Sequence, residues 1–451
     1  MNRLDELIAE FCPNGVETKK IGDICNTITD YTAAGSFADI AKNVKYINDG
    51  MGYAQLIRTT DLKSNFKNPD KFIYVDENAF NYLWRVKLDS ECLVLPNVGN
   101  CGEVYYITPN IFPHEKNVLG PNAILVKSST VDNRYLFHAF QCDTFQKKLA
   151  QITSSTGQTK FNKTNFKALE LPVPPLEVQR EIVRVLDSFT LLTAELTAEL
   201  TARKKQYDFY RNKLLTHNKE YPMKPLADLG KWSGGKTPSM ANTSYWEGGT
   251  IPWISSKDMK VSTLADTQDH ITEKAINEAS MTLFPENSIA IVTRSGILKH
   301  TFPVAYVPFK TTINQDIKIL VVNKEVLPRY AFHVIQGKGQ DILTRTKKQG
   351  GTVDSLDFQK VLAYKVPVPP LDVQERLVQV LDNFEFICTD LNIGLPAEIE
   401  ARQKQYEYYR DLLLTFAETG STLVTDRQTD RQTDRQTDRQ TDRQTDRTER
   451  N

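Results

Sequence analysis

One segment of the 451-residue chain has the spacing of a nucleotide-phosphate loop. Gly230–Thr237 matches the pattern Gly-x-x-x-x-Gly-Lys-Thr, in which backbone amides and a lysine hold the phosphates of ATP. The neighbouring residues argue against an ATP site. Lys224–Leu229 is short and contains a proline where a buried strand should be, and Pro238 disfavours the helical geometry that Thr237 would need. The sequence instead favours a Gly-rich loop whose Lys236 and backbone amides approach a phosphate group.

No other residues have the spacing of a catalytic or metal site. The sequence lacks Gly-x-Ser-x-Gly, His-Glu-x-x-His, a Gly-rich cofactor loop and the Asn/Asp-Pro-Pro-aromatic tetrapeptide of an amino-methyltransferase. The acids after Pro69-Asp70 are too loosely spaced for a nuclease, and the six histidines show no ligand spacing. We therefore predict a protein that binds rather than reacts, with no catalytic residue, no metal and no cofactor of its own.

Composition and charge are those of an ordinary globular protein. The chain is 40% hydrophobic and 25% charged, and its formal net charge is zero. Nucleic-acid binders often have a basic excess, so any such charge must be local or come from partner subunits. We see no signal peptide and no apolar run that could cross a membrane. The six cysteines are scattered without a Cys-x-x-Cys pair, which predicts a reducing cytoplasm rather than disulfides or structural zinc.

An internal repeat organises the chain. Pro172–Gln179 reads Pro-Val-Pro-Pro-Leu-Glu-Val-Gln, and Pro367–Gln374 reads Pro-Val-Pro-Pro-Leu-Asp-Val-Gln. Arg203–Arg211 likewise matches Arg402–Arg410, and weaker matches precede both in the same order at offsets of roughly 195–205 residues. Two unrelated domains that merely share turn motifs would not keep that order. The sequence therefore predicts an internal duplication.

Each half has the same predicted plan of a variable domain, a Pro-rich hinge and a long helix. Short apolar segments bounded by Gly, Pro, Asn and Asp predict strands with a few helices between them, and therefore an α+β fold. The hinges cannot lie inside a helix, so they end each domain. The predicted boundaries are 1–170 for the first domain, 171–218 for its hinge and helix, 219–365 for the second domain, 366–416 for its hinge and helix, and 417–451 for the tail.

The segments after the hinges are strongly periodic. Apolar residues recur at steps of three and four from Ile182 to Leu214 and from Leu377 to Leu413, which predicts helices that pack against each other. Separate amphipathic helices, each covering its own domain, are the alternative. About 40 residues, or roughly 60 Å of helix, is longer than a small domain needs. Pro396 suits the first turn of a new helix after a break in the second segment.

Two segments are of low complexity. Thr193–Leu200 contains Thr-Ala-Glu-Leu twice, and each unit adds about 6 Å to a helix, so we interpret it as a ruler. Thr425–Gln444 repeats Thr-Asp-Arg-Gln without an apolar residue, which predicts disorder. The period of the tail also fits a coding tract of the tetranucleotide ACAG. We hypothesise that such a tract makes the end of the gene variable in length.

These motifs together resemble the specificity subunit of type I restriction-modification enzymes. The resemblance rests on the paired Pro-rich hinges, on the two Lys-Gln-Tyr-x-x-Tyr-Arg helices, and most closely on Gly394–Arg410. The doubled Thr-Ala-Glu-Leu unit also occurs in that family. The resemblance covers residues from about 1 to 416, and the tail departs from it.

The resemblance implies a fold and a set of partners. Two target-recognition domains would be separated by an antiparallel pair of long conserved helices, with an internal pseudo-twofold repeat. Each domain would read part of a bipartite, asymmetric site on double-stranded DNA, so the chain would be a non-catalytic DNA-binding subunit. Two modification (methyltransferase) subunits would bring S-adenosylmethionine and methylate adenine. Restriction (motor-nuclease) subunits would use ATP and magnesium, in the cytoplasm of a bacterium or archaeon.

The DNA-facing residues are predicted from side-chain chemistry and from positions matched between the halves. Loop side chains with amide, hydroxyl or cationic groups can bond to base edges or phosphates, although any one of them could be a solvated loop residue. In the first half the candidates are Arg58, Thr59, Thr60, Lys63, Asn97, Asn100, Lys160 and Lys163. In the second half they are Gly234, Gly235, Lys236, Thr237, Ser255, Ser256, Lys257, Arg294, Ser295, Lys347 and Lys348. The predicted helix-pair or partner-binding residues are Tyr207, Tyr210, Leu214, Tyr406, Tyr409 and Leu413.

Two other functions stay open at the level of sequence. A coiled-coil scaffold could organise other proteins without touching DNA, but it has little reason to keep two duplicated and diverged domains. A stand-alone ATPase or methyltransferase would depend on motifs that are absent or misplaced.

Overall fold

The chain divides into two units that share one repeated architecture. The computed structural model describes residues 2–48, 52–154, 157–216, 221–348, 353–389 and 393–419, without the side chains of residues 2, 214–216 and 416–419. Unit 1 contains Met1–Ala194 and Glu400–Asn451, and unit 2 contains Glu195–Ile399. Within the described residues, no helix is both long and apolar enough to span a lipid bilayer.

Unit 1 contains short helices and strands in alternation. Polar side chains begin several of the helices. Asp132, for example, accepts hydrogen bonds from the backbone N–H groups of Arg134 and Tyr135 in the first turn of helix α6. The helices are α1 (Asn2–Phe11), α2 (Ile21–Ile24), α3 (Phe37–Asn43), α4 (Thr59–Lys63), α5 (Glu77–Tyr82), α6 (Asn133–Gln141), α7 (Asp143–Gln151) and α8 (Lys163–Ala168). The strands are β1 (Thr18–Lys20), β2 (Thr27–Asp30), β3 (Ala54–Ile57), β4 (Ile73–Val75), β5 (Cys92–Pro96), β6 (Tyr105–Ile107), β7 (Asn117–Leu119), β8 (Ala123–Lys127) and β9 (Glu170–Pro172).

The strands of unit 1 form two main sheets and one short pair. An antiparallel sheet has the order β2-β8-β5-β6, and a smaller sheet has the order β4-β3-β7, in which β3 and β7 are parallel. Strand β5 is buried along its whole length, as its run of Cys-Leu-Val-Leu predicts. The pair β1-β9 joins the first strand of the unit to the Pro-rich hinge.

Unit 2 repeats this architecture strand for strand. Its helices are α10 (Glu273–Glu278), α11 (Pro328–Gly337), α12 (Gly339–Thr346) and α13 (Phe358–Ala363). Its strands are β10 (Met223–Pro225), β11 (Gly230–Gly234), β12 (Ile251–Ile254), β13 (Asp269–Ile271), β14 (Ser288–Val292), β15 (Val304–Val307), β16 (Thr312–Ile313), β17 (Ile317–Val322) and β18 (Lys365–Pro367). The sheets have the orders β11-β17-β14-β15 and β13-β12-β16, with a separate pair β10-β18. The predicted α+β fold and internal repeat are confirmed.

Three long helices follow the hinges. They are α9 (Leu176–Thr216), α14 (Leu371–Thr389) and α15 (Leu395–Thr419). The part of α9 up to Ala194 belongs to unit 1, and the rest belongs to unit 2. Helix α15 has Pro396 in its first turn, as predicted. Helix α15 continues to Thr419, three residues into the predicted tail of 417–451, and the tail from residue 420 onward lies outside the described residues.

A glutamine fastens the start of each hinge helix to its own domain. The buried Gln179 donates its amide to the carbonyl of Pro174 at 2.7 Å and accepts from the backbone N–H of Asp132 at 2.9 Å. In unit 2, Gln374 donates to a hinge proline carbonyl at 2.8 Å and accepts from the N–H of Leu327 at 2.9 Å. The last residue of each repeated hinge motif therefore has a structural reason to be glutamine.

Each unit pairs two of the long helices through stacked aromatic rings. In unit 1, Phe189 of α9 stacks on Tyr409 of α15, with ring centroids 5.2 Å apart. In unit 2, Tyr210 of α9 stacks on Phe384 of α14 at 5.8 Å. The helix that ends the described chain therefore packs in unit 1, whereas the second part of α9 packs in unit 2. The burial of the apolar stripes is uneven: Leu186 and Leu381 are fully buried, whereas Leu196 is half-buried and Tyr210 is 37% exposed.

Candidate nucleic-acid interface

The predicted DNA-facing loops of unit 1 lie together at one end of its sheets. The connection between β7 and β8 joins them. The backbone N–H of Gly120 donates to the carbonyl of Ile57 at 2.8 Å, at the end of β3. The N–H of Asn97, which follows β5, donates to the carbonyl of Asn122 at 3.1 Å. The loops after β3 and β5 therefore share one surface.

The corresponding loops of unit 2 meet at the connection between β16 and β17. The N–H of Lys236 donates to the carbonyl of Ile313 at 3.0 Å, which fixes the loop after β11. The N–H of Thr293 donates to the carbonyl of Asp316 at 2.8 Å, which fixes the loop after β14. Between them, the N–H of Asn314 donates to the end of β12 at 2.9 Å. Three predicted loops are thus held side by side.

The Gly-rich loop is shaped by packing rather than by a phosphate-loop geometry. Gly230–Gly234 is strand β11, and no helix follows it before β12 among the described residues, apart from one short 3₁₀ turn. A Cβ atom on Gly235 would overlap the backbone of Ile313, so only glycine allows this approach. Thr237 donates its hydroxyl to Gln315, and the side chain of Lys236 is exposed. The glycine pattern that resembles an ATP site therefore has a packing cause.

Arg294 and Ser295 lie beside the end of helix α12. The N–H of Ser295 donates to the carbonyl of Asp354 at 3.0 Å, and the N–H of Lys348 donates to that of Ser355 at 2.9 Å. The Arg294 side chain is 64% exposed, and its Nε lies 4.0 Å from a carboxylate oxygen of Asp316. The structure thus brings Arg294, Ser295, Lys347 and Lys348 into one cluster.

Unit 1 has an equivalent cluster around Asn97. The carbonyl of Asn97 accepts from the N–H of Phe161 at 3.1 Å, so Lys160 lies next to the loop after β5. Asn97 Oδ1 is buried and has no hydrogen-bond partner among the described residues. Asn100 is exposed and donates its amide to Glu103 at 3.1 Å. At the start of α8, the ammonium of Lys163 pairs with Asp30 at 2.9 Å.

Several of the predicted cations already have internal partners. Arg58 binds both carboxylate oxygens of Asp61 and donates to a backbone carbonyl at 2.6 Å. Other pairs join Lys63 to Glu103 at 2.7 Å, Lys257 to Asp269 at 3.3 Å, and Lys347 to Asp354 at 3.0 Å. By contrast, Lys160, Lys236 and Lys348 are exposed and lie within 4.0 Å of no carboxylate among the described residues.

The predicted DNA-facing serines and threonines differ in how exposed their hydroxyl groups are. Ser255 is buried, and both its N–H and its hydroxyl donate to Asp258, at 2.8 and 3.1 Å. Ser256 and Thr59 are half-buried, and Thr60 is exposed on helix α4. Ser255 therefore shapes its loop through Asp258, as Arg58 does through Asp61 in unit 1.

A buried network, which was not predicted from the sequence, joins the domain and the long helices in unit 1. His138 of α6 lies 2.9 Å through Nε2 from Asp187 of α9, and the hydroxyl of Tyr406 on α15 lies 2.9 Å from His138 Nδ1. Arg134 donates to the same Asp187 oxygen at 2.8 Å. One domain helix and two long helices therefore meet at a fully buried imidazole.

Unit 2 contains the same network at the repeat offset. His333 lies 2.6 Å from Asp382 of α14, and the hydroxyl of Tyr207 on α9 lies 3.3 Å from His333 Nδ1. Arg329 donates to Asp382 at 2.6 Å and also to Glu385. His138 and His333 are 195 residues apart, as are Pro172 and Pro367, and that shared offset was the available sequence signal.

Charge and burial explain the protonation of the first network. Burial lowers the pKa of His138 and outweighs the opposing hydrogen bond to Asp187. Burial raises the pKa of Asp187, but the hydrogen bonds from His138 and Arg134 hold it below its usual range. The neutral imidazole then donates from Nε2 to the Asp187 carboxylate and accepts the Tyr406 hydroxyl at Nδ1.

The second network also contains three groups close enough to hold a metal ion. Ligand atoms of His333, Asp382 and Glu385 lie within 4.8 Å of one another. The guanidinium of Arg329 donates to both carboxylates, so these two acids already bind a cation. The arrangement fits an arginine-carboxylate cluster better than a metal centre.

The remaining helix-pair candidates pack in the cores of their units. Tyr406, Tyr409 and Leu413 contact the buried cluster of unit 1. Tyr207 is buried in unit 2, where the guanidinium of Arg211 lies 4.9 Å from the centre of its ring. The side chain of Leu214 lies outside the described residues.

Comparisons with known proteins agree on one family. A family model described as the type I restriction modification DNA specificity domain matches residues 13–203 and 218–401. The specificity subunit of the Escherichia coli type I restriction enzyme EcoR124I/EcoR124II is 47% identical over 261 residues. That alignment covers 56% of this chain and 65% of the relative, slightly less than two thirds of its length. A putative type I restriction enzyme specificity subunit of Haemophilus influenzae is 31% identical over 300 residues, covering 64% and 73%.

A solved structure shares the fold. It comes from work on complex assembly and conformational transition of the type I R-M system. It aligns with a TM-score of 0.55 at 13% identity, covering 90% of this chain and 98% of the other. At that identity the likeness shows the fold alone.

Proposed function

The chain belongs to the family of type I restriction modification DNA specificity domains, and from that premise we propose that it directs a restriction-modification complex to a bipartite, asymmetric DNA site. The chain is a non-catalytic recognition subunit. One observation carries the proposal of two half-sites. The two units have the same strand order but different side chains on the equivalent loops. Two recognition surfaces that share a fold but carry different side chains would bind two different short DNA sequences.

The loop side chains fit direct reading of bases. An exposed arginine such as Arg294 can donate two hydrogen bonds to guanine, and an exposed amide such as that of Asn100 suits adenine. These residues sit on loops that the sheet connections hold in place, which fixes where each side chain can reach. We therefore assign unit 1 and unit 2 to different half-sites.

The exposed lysines fit the backbone of duplex DNA. Lys160 in unit 1 and Lys236 and Lys348 in unit 2 lie beside the base-reading candidates and are not paired with a described carboxylate. Contacts of this kind position a protein on DNA without reading sequence. The zero net charge of the chain is consistent with partner subunits that complete the positive surface around DNA.

The partners that we propose are two modification subunits and the restriction subunits. Equivalent exposed aromatic side chains support two copies of one partner. Phe209 on α9 is 60% exposed, and Tyr408 on α15 is 46% exposed. Each directly precedes the tyrosine of its helix pair, so both occupy the same place in the repeat. S-adenosylmethionine, ATP and magnesium would belong to the partners.

The setting that we propose is a reducing cytoplasm. All six cysteines are free and buried in the structure. A thiol in an apolar core is inert and needs no oxidising compartment.

Mapping of methylated adenines tests the proposed function. Long-read sequencing of host DNA would compare a strain that carries the gene with a strain from which it is deleted. We expect deletion to abolish methylation at one bipartite motif and at no other. Unchanged methylation would contradict the proposal if the protein is expressed. Co-purification of a methyltransferase in that case would favour the scaffold function.

A further inference from the structure

Helix α12 of unit 2 lies between two open clefts lined with basic side chains. The first cleft has a volume of about 690 Å³, and its basic residues are Lys338, Arg345, Lys360 and Lys365. The second has a volume of about 510 Å³, and its basic residues are Lys299, Lys347 and Lys348. Both clefts are also lined by polar residues of α12 itself, so the helix forms a ridge between them.

Much of the positive charge in these clefts is not neutralised within unit 2. Among the described residues, Lys338, Lys365, Lys299 and Lys348 have no carboxylate oxygen within 4.0 Å. Lys360 lies 4.0 Å from Asp357, at the limit of an ion pair. Arg345 is paired with Asp341 at 2.8 Å and Lys347 with Asp354 at 3.0 Å, so four of the seven basic side chains keep an unpaired charge. The clefts therefore hold the uncompensated charge that an anionic ligand requires.

The desolvation of Lys338 also favours an anionic ligand in the first cleft. This residue immediately precedes α12 and is half-buried, and burial lowers the pKa of its ammonium. A phosphate in the first cleft would offset that loss of hydration. The two exposed lysines of the cleft, Lys360 and Lys365, face the same space.

Unit 1 does not carry the same charges on equivalent elements. Strand β18 of unit 2 begins with Lys365, whereas the matching strand β9 of unit 1 begins with Glu170. The third residue of α13 is Lys360, whereas the third residue of α8 is Asn165. The positive charges of Lys360 and Lys365 are therefore present in only one copy of the repeat.

The dimensions favour duplex DNA over an acidic protein surface. An α-helix with its side chains is about 10–12 Å wide. The major groove is about 12 Å wide, with a phosphate strand along each rim. Two phosphate backbones that border one major groove would therefore lie about as far apart as the two sides of one helix. Lys347 and Lys348, at the end of α12, are also continuous with the recognition loop of Arg294.

We propose that the clefts on either side of α12 bind the sugar-phosphate backbone of DNA outside the base pairs read by unit 2, and that unit 1 has no such site. The inference rests on the proposed function. It makes the half-site of unit 2 the main source of non-specific, salt-dependent affinity. Unit 1 would depend more on base contacts and on partner subunits.

The test exchanges the charges between the two copies of the repeat. K360N/K365E gives unit 2 the residues of unit 1, and N165K/E170K makes the reciprocal change. Each change places a residue that the equivalent element already tolerates, and thermal unfolding would verify folding. The full chain, co-expressed with its methyltransferase subunits, would be titrated with duplexes that have long or trimmed flanks beside the unit 2 half-site.

The expected result is a change in salt dependence without a change in sequence preference. Log affinity falls as log salt rises, and K360N/K365E should make this fall shallower by about 2 in slope. Each lost phosphate contact contributes about 0.9 to the steepness. The loss should disappear on the duplex trimmed on the unit 2 side. N165K/E170K should raise the slope on the long duplex. The ratio of cognate to non-cognate affinity should stay the same in all variants.

Two outcomes would overturn the inference. An unchanged slope in K360N/K365E, with specific binding intact, would show that the clefts do not hold phosphates and would leave the proposed function standing. Loss of a partner subunit from the K360N/K365E complex, with an unchanged slope, would assign the clefts to an acidic protein. If the wild type preferred no sequence but K360N/K365E still lost affinity, the proposed function would fail and the phosphate site would stand.

Discussion

Arg294 is the side chain for which a single substitution should be most informative. It is exposed, lies on a loop fixed by the β16–β17 connection, and is only loosely paired with Asp316. Arg294→Ala should weaken specific binding by about 1–3 kcal/mol and relax discrimination at one base pair, if the guanidinium reads a base. Lys236→Ala should instead weaken binding to all sequences. Affinities for a panel of single-base variants of the site would distinguish the two effects.

The other unit supplies the control for this prediction. Asn100→Ala should alter discrimination only in the half-site read by unit 1, because its loop belongs to a separate set of sheets. Assembly with the methyltransferase subunits should be the same in all three variants. Equal losses across both half-sites for Arg294→Ala would contradict the assignment of one half-site to each unit.

Two glycines near the candidate interface should respond differently to the same substitution. A Cβ on Gly235 would overlap the backbone of Ile313, whereas nothing lies within 4 Å of a Cβ on Gly296. Gly235→Ala should therefore destabilise unit 2 by about 1–3 kcal/mol, since backbone must move to admit it. Gly296→Ala should be nearly neutral. Thermal unfolding of both variants tests this, and equal midpoints would refute the packing explanation of the Gly-rich loop.

The sequence predicted which residues lie on the recognition loops more reliably than which of their side chains are free to contact a ligand. The spacing of strands and turns was enough to place Asn97 on a loop of the first half and Lys236 and Arg294 on loops of the second half. It could not show that Arg58 would turn back onto Asp61, because an arginine three residues before an aspartate can face either solvent or its neighbour. The pairing of Lys63 with Glu103 depends on how two distant loops meet, which no local pattern encodes.

At the scale of elements, the His138 network should make unit 1 less stable in acid. Burial keeps the folded-state pKa of this imidazole below the ordinary value of 6.5. As the pH falls through 6.5, the unfolded chain binds a proton that the folded chain does not, so unfolding is favoured. The free energy of unfolding should fall by up to about 1.4 kcal/mol per pH unit from this group. Asp187, whose pKa is also lowered, adds a further loss at lower pH.

Denaturant unfolding of wild type and His138→Gln between pH 7 and pH 5 measures that contribution. The variant should be less stable at pH 7 and should depend less steeply on pH, because the titrating group is gone. Tyr406→Phe is a second probe, since it leaves the imidazole nitrogen without its donor and should cost about 1–3 kcal/mol. Equal pH slopes in wild type and His138→Gln would contradict the neutral, buried imidazole.

The elements themselves could be predicted from the sequence, but their pairing could not. The hinge prolines and the three- and four-residue steps are local signals, and the structure confirms helices after both hinges. The two apolar stripes are nearly equivalent, so nothing local specifies that α15 packs beside the first part of α9. His138 and Asp187 are 49 residues apart in the chain and carry no spacing signature. Their relation becomes visible only when the two copies of the repeat are compared.

At the scale of the whole molecule, the zero net charge becomes informative once charge is assigned to surfaces. Most cations of the recognition loops are paired internally, and the uncompensated lysines are concentrated in a few places. Such a chain gains little from bulk attraction to DNA, so its affinity should depend on specific contacts and on partners. Because charges at equivalent positions have diverged, as in Lys365 and Glu170, the two halves can contribute unequally to the affinity for DNA.

The length of α9 should set the gap between the two half-sites. The helix is continuous through the repeated Thr193–Leu200 segment. One more Thr-Ala-Glu-Leu unit would add about 6 Å and rotate the C-terminal part of the helix by about 40° beyond a full turn. The methylated motif should then keep both half-sites and gain about one or two base pairs between them, at roughly 3.4 Å per pair. As a control, Thr193–Leu200 can be replaced by another helix-forming sequence of equal length, which should leave the gap unchanged. An unaltered gap after the insertion would mean that partner subunits, and not this helix, set the spacing.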